Sequence, residues 1–125
     1  MTSGFRTFGV VVVGIGTAGR VRLRDLQECG STISLELKGF VSRHESEIPG
    51  VTKLSYEECL ARSDIHAVII CTEPHTHENL IRQALYSNKH VLVEYPVALS
   101  SQIAQDLYQQ ANRKGLVLHE EISDF

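Results

Sequence analysis

Phe8-Gly9-Val10-Val11-Val12-Val13-Gly14-Ile15-Gly16-Thr17-Ala18-Gly19 is the stretch on which the reading of the fold turns. Its first half, Phe8 to Val13, is apolar and rich in β-branched residues, which predicts a buried strand. Its second half is a GxGxxG motif that opens a helix predicted over Thr17 to Glu28, with Val21, Leu23 and Leu26 as apolar positions. A glycine motif between a strand and a helix is the setting in which it cradles a dinucleotide. Gly14 permits the tight turn. Gly16 has no Cβ, so a pyrophosphate can approach the backbone, and Gly19 lets the helix pack closely on the strand. The phosphates would rest on free N–H groups at the positive end of the helix dipole. The alternative is a glycine-rich turn with no ligand.

Moving outward, short apolar runs alternate with amphipathic stretches. Further strands are predicted at Leu35–Ser42, Ala67–Thr72, His90–Glu94 and Leu116–Glu120. Ser55 and Glu58 have capping-box spacing and open a short helix to about Arg62. Glu78 to Ser87 forms a helix with Leu80, Ile81, Ala84 and Leu85 on one face. Ser100 or Ser101 caps a last helix to Lys114, and Gly115 stands where a helix-ending glycine belongs. Alternating strands and helices imply parallel pairing through right-handed crossovers. The expected architecture is α/β, a doubly wound parallel sheet of Rossmann type, in one domain over residues 1–125. Ligands of such sheets bind beyond the carboxyl ends of the strands.

The composition agrees. The 125 residues are 42% hydrophobic and 22% charged, an ordinary globular mixture, with a formal charge of -3. That balance gives no electrostatic footprint for nucleic acid. No apolar run approaches the length that spans a bilayer, and no signal peptide is evident. The three cysteines, Cys29, Cys59 and Cys71, form no CxxC pair, and read as reduced thiols in a cytoplasmic protein.

Four strand ends carry candidate chemistry. The second ends Phe40-Val41-Ser42-Arg43-His44, with no acid before Glu45. An NAD site usually holds the ribose 2′-hydroxyl with Asp or Glu there. Ser42 can donate to a phosphate and Arg43 can pair with its charge, which favours NADPH without excluding NADH. A solvated polar loop is the alternative. After the third strand comes Cys71-Thr72-Glu73-Pro74-His75-Thr76-His77, beside the expected cofactor. Its two histidines have no third partner at metal-binding spacing, so no metal is expected. After the fourth comes Glu94-Tyr95-Pro96. The Tyr95 phenol could orient substrate, donate a proton despite an ordinary pKa of about 10, or simply pack. His119-Glu120-Glu121 ends the fifth strand, either as acid–base carboxylates or as a polar chain end.

Taken together, FGVVVVGIGTAG, VRLRDL, GFVSR, HVLVEYP and LHEE resemble the biliverdin reductases, within the wider Gfo/Idh/MocA oxidoreductases that include glucose–fructose oxidoreductase and inositol dehydrogenase. The resemblance runs from about Phe8 to Glu121. The wider family has Glu-Lys-Pro where this chain has Glu94-Tyr95-Pro96, and tyrosine there is the biliverdin reductase form. The resemblance implies reduction of biliverdin IXα to bilirubin by hydride transfer from NADPH or NADH to the central methine bridge. It implies cofactor contacts at Gly14, Ile15, Gly16, Thr17, Ala18 and Gly19, at Ser42, Arg43 and His44, at Pro74, His75, Thr76 and His77, and at Tyr95. Tyr95, Glu94 and Glu120 would serve the reaction, with Glu121 beside them. This chain has His44 where the family has a second arginine, and Ile122 where the family has histidine. The resemblance also implies a second α/β domain that walls the bilin site and follows the region matched here. Family members are mostly monomeric. A chain of this span would bind cofactor, turn over little and tend to self-associate.

Overall fold

The computed structural model describes residues 7–29, 34–43 and 47–122. Five strands form one sheet: β1 (Phe8–Val13), β2 (Leu35–Val41), β3 (Ala67–Ile70), β4 (His90–Glu94) and β5 (Leu118–Glu121). Four α-helices connect them: α1 (Thr17–Cys29), α2 (Tyr56–Ala61), α3 (His77–Tyr86) and α4 (Ser101–Arg113). All four strand pairings are parallel, in the order β2-β1-β3-β4-β5. The chain thus leaves β1 toward β2 on one side and returns to pair β3 on the other. That reversal opens a crevice at the carboxyl ends of β1 and β3, where doubly wound sheets bind ligands. The sheet is the Rossmann architecture expected from the alternation.

Strand alternation divides the core. Val11 and Val13 of β1 face a large cluster with Val68, Ile70, Val91 and Val93, covered by Ile81 and Leu85 of α3 and Leu107 of α4. Val10 and Val12 face the opposite side, with Phe40, Ile69 and Leu23 of α1. Successive side chains of a strand point to opposite faces, so an apolar run such as Val10–Val13 requires cover on both. Among the described residues α1 is the helix that covers the smaller cluster. On that face Arg22 of α1 reaches Glu94 at the end of β4.

Local signals place most boundaries. Ser55 Oγ accepts the Glu58 N–H at 3.0 Å and Glu58 Oε1 accepts the Ser55 N–H at 2.9 Å, a complete capping box. Ser100 Oγ accepts the Ile103 N–H, which starts α4 at Ser101. Gly115 ends it at φ 68°, and the Leu116 N–H turns back to Ala111 O at 2.9 Å. That bond uses the Leu116 amide, so β5 begins at Leu118 rather than at Leu116. Similarly, β3 stops at Ile70, short of the expected Thr72. A turn of 3-10 helix over Pro74–Thr76 precedes α3, which starts at His77.

Candidate functional site

The phosphate loop leaves β1 and enters α1, and its three glycines differ in what holds them as glycine. Gly14 has φ 89°, a left-handed conformation that other residues reach only with strain. A Cβ on Gly14 would also stand 2.7 Å from Thr72 Cγ2. A Cβ on Gly19 would lie 1.8 Å from the carbonyl oxygen of Gly14, inside van der Waals contact, so the helix rests directly on the turn. Gly16 is different: a Cβ there would meet nothing within 4 Å, and its φ is ordinary. The fold needs glycine at Gly14 and Gly19. At Gly16 the absent side chain leaves an open cradle that no atom of the chain fills.

That cradle is one wall of a cleft of about 870 Å³, within the usual range of small-molecule sites. Gly14, Ile15 and Gly16 line it together with Ser42 and Arg43 from the end of β2 and His75 and Thr76 after β3. The strands set this meeting: Val13 pairs with Val41, and the Gly14 N–H donates to Val41 O at 2.8 Å. The Cys71 N–H donates to Val13 O at 2.8 Å and brings the third loop alongside. Thr17 opens α1, and the half-buried Ala18 and buried Gly19 follow it without lining the cleft. Pro74 also stands outside the lining. His44 lies outside the described residues.

The two histidines of the third loop part company. His75 is exposed and pairs with Glu73 at 3.4 Å. His77 is only 1% exposed. Its Nδ1 is 2.7 Å from Pro96 O and its Nε2 is 2.9 Å from Thr72 O. The ring thus lies between backbone carbonyls of two loops, and the nitrogen that carries the proton donates to one of them, so the ring packs between the cleft wall and the turn after β4 instead of facing a cofactor. The Thr76 hydroxyl donates to Glu73 O at 2.6 Å, so the Thr72 hydroxyl donates to Thr76 Oγ1 at 2.6 Å. These bonds fix the loop in one shape.

The turn after β4 is held from three further sides. The Tyr95 N–H donates to Glu121 O at 2.7 Å. The Val97 N–H donates to Glu120 Oε2 at 2.8 Å. Arg22 Nε and Nη2 both approach Glu94 Oε1 at 3.0 Å, and Nη2 lies 3.9 Å from Glu121 Oε1. Glu94 and Glu120 thus spend carboxylate oxygens on positioning the turn. The Tyr95 side chain is 62% exposed, at the carboxyl edge of the sheet and outside the cleft lining, and a cis peptide joins it to Pro96.

The cleft also contains residues not expected in it from the sequence, Arg20, Tyr56, Asn79 and Leu80, together with Cys71, Thr72 and Glu73 of the third loop. Tyr56 Oη donates to Leu80 O at 2.6 Å, and burial pushes its phenol above the usual range. Burial, reinforced by the charge of Glu94, pushes the Cys71 thiol up to about 12, so it is neutral at physiological pH. Among the described residues no three His, Cys, Asp or Glu side chains group to hold a metal ion. No described helix is long and apolar enough to cross a membrane.

Residues 8–122 match the oxidoreductase family with an NAD-binding Rossmann fold, Gfo/Idh/MocA. The chain belongs to this family. Among relatives, biliverdin reductase A of Homo sapiens is 52% identical over 118 residues, covering 93% of this chain and 40% of that protein. The crystal structure of GenD2 from gentamicin A biosynthesis in complex with NAD superposes with a TM-score of 0.84 at 28% identity, covering 95% of this chain and 35% of that one. That of biliverdin reductase from Synechocystis sp. PCC 6803, in complex with biliverdin and NADP+, gives 0.81 at 29% identity, covering 90% and 37%. The chain therefore spans about 40% of the length of the human relative it matches. Within the Gfo/Idh/MocA family it is a biliverdin reductase A-like NAD(P)-binding domain.

Proposed function

We propose that this chain is the cofactor-binding domain of an NADPH-dependent enzyme that reduces biliverdin IXα to bilirubin, with NADH as a second cofactor. The observation that carries the cofactor half is the open cradle over Gly16 in a cleft that the fold keeps clear. The substrate is supported by the likeness to human biliverdin reductase A over nearly the whole chain. When bound, NADPH supplies the hydride for the methine bridge.

The residues of the chain do the holding. The N–H groups at the start of α1 take the pyrophosphate. Ser42 and Arg43 face the adenosine ribose, where among the described residues no carboxylate stands to prefer a free 2′-hydroxyl. The loop from Thr72 to Thr76, braced by His77, forms the wall toward the nicotinamide. Tyr95 is the group here with a side chain free to touch a bilin at the carboxyl edge. Glu94 and Glu120 act through it as positioning residues, through Arg22 and the Val97 N–H.

Hydride transfer needs the bridge carbon held about 3–3.5 Å from the nicotinamide. The cofactor half is tested by NADPH binding to the 125-residue chain, and the substrate half by bilirubin formation. The test is a fluorescence titration with NADPH, followed by absorbance at the bilirubin band after adding biliverdin. Saturable NADPH binding supports the cofactor half, and bilirubin formed above the protein-free background supports the substrate half. Absence of NADPH binding by the folded chain overturns the reading.

A further inference from the structure

Two guanidinium groups line the cleft, Arg20 and Arg43, and among the described residues neither has an acidic or hydrogen-bonding partner for its side chain. They come from different elements. Arg43 follows β2. Arg20 lies on the first turn of α1, where its N–H donates to Gly16 O at 3.0 Å. Residues four apart share a helix face, so Arg20 stands one turn above the open cradle of Gly16. Because β2 and β1 are neighbours, the two arginines border the same part of the cleft from two sides. The acid that lines the cleft, Glu73, follows β3 on the other side of β1 and is already beside His75. The β2 side of the cleft therefore holds two unneutralised cations and no described carboxylate.

We infer that Arg20 is a specificity-determining residue that, together with Arg43, takes the adenosine 2′-phosphate and selects NADPH over NADH. The inference rests on the cofactor reading above. A monoester phosphate carries about -1.5 to -2 charges near neutral pH, which one exposed guanidinium balances incompletely. Two converging guanidiniums supply the charge and planar donor pairs suited to phosphate oxygens. The pyrophosphate has its own donors in the N–H groups of the helix start, so Arg20 is not needed there. From its place one turn along α1 it lines the same cleft as Ser42 and Arg43.

The experiment titrates the 125-residue chain and its Arg20→Gln and Arg20→Lys variants with NADPH and with NADH, which differ only in the 2′-phosphate. The side chain of Arg20 is exposed, so melting temperatures should be unchanged. Arg20→Gln should weaken NADPH binding about tenfold, as loss of a charge-assisted pair does, and leave NADH within about twofold. Arg20→Lys should lose less than Arg20→Gln, because charge remains while the planar fork is gone. Added salt should weaken NADPH binding less in Arg20→Gln than in the unmutated chain. Equal loss for both nucleotides would place Arg20 on the pyrophosphate and overturn the inference, as would no loss for either. Failure of the unmutated chain to bind NADPH would overturn the cofactor reading and this inference together.

Discussion

Gly16→Val separates what the fold needs from what a ligand needs. A Cβ at Gly16 meets no atom within 4 Å, so the free protein accepts the side chain. Its stability should change by no more than about 0.5 kcal/mol, as at other open surface positions. Bound phosphate oxygens would lie where the valine methyls go. Displacing them breaks charge-assisted hydrogen bonds from the helix start, each worth about 1.5–3 kcal/mol. Two such bonds amount to about 3–6 kcal/mol, a loss of at least a hundredfold in NADPH affinity. Gly19→Ala is the contrast. Its Cβ would stand 1.8 Å from Gly14 O, a backbone atom that moves only if the helix lifts from the strand. That variant should lose about 1–3 kcal/mol or more of stability. Urea unfolding and NADPH fluorescence titration of both variants measure the two effects. A folded Gly16→Val chain with undiminished affinity would refute the phosphate-loop argument. So would a stability loss in Gly16→Val as large as that in Gly19→Ala.

Two further outcomes follow from the site. His77→Ala removes the buried ring packed between the carbonyls of Thr72 and Pro96, and with it the N–H that donates to one of them. It should cost about 2–4 kcal/mol in urea unfolding, and a change under about 0.5 kcal/mol would contradict the bracing role. Burial raises the folded-state pKa of Cys71 from 9.0 to about 12 and that of Cys59 to about 11. The unfolded thiols ionise first as pH rises, so their contribution to stability is complete below pH 9.0 and is lost progressively toward pH 12. Native Cys71 should accordingly resist a thiol-exchange reagent at pH 8 that modifies the unfolded chain at once. Rapid modification of the native chain at Cys71 would contradict the upward shift of its thiol.

The frame of the site was legible because its signals are local. A β-branched run, three glycines at fixed spacing and a helix start lie within the twelve residues Phe8–Gly19. The Ser55–Glu58 box and Gly115 were legible for the same reason. What was hidden depends on the sheet. Tyr56 enters the cleft with its hydroxyl on Leu80 O of α3, 24 positions away, and nothing in its neighbours announces that. Arg22 and Glu94 are separated by 72 positions and meet because α1 covers the end of β4. His75 and His77 look equivalent in sequence, yet one is solvated beside Glu73 and the other is buried between two carbonyls. Arg20 did leave a trace, since it lies four residues after Gly16 on the same helix face, but the glycines drew the reading to the backbone.

The most direct test of the account is a map of where NADPH binds, from backbone amide NMR shifts of the labelled chain during titration. The account predicts saturable shifts at Gly14–Thr17, at Ser42 and Arg43, and along Thr72–Thr76, with α4 and the far ends of the strands unmoved. Saturable shifts centred elsewhere, or none at these loops at saturating NADPH, would contradict it.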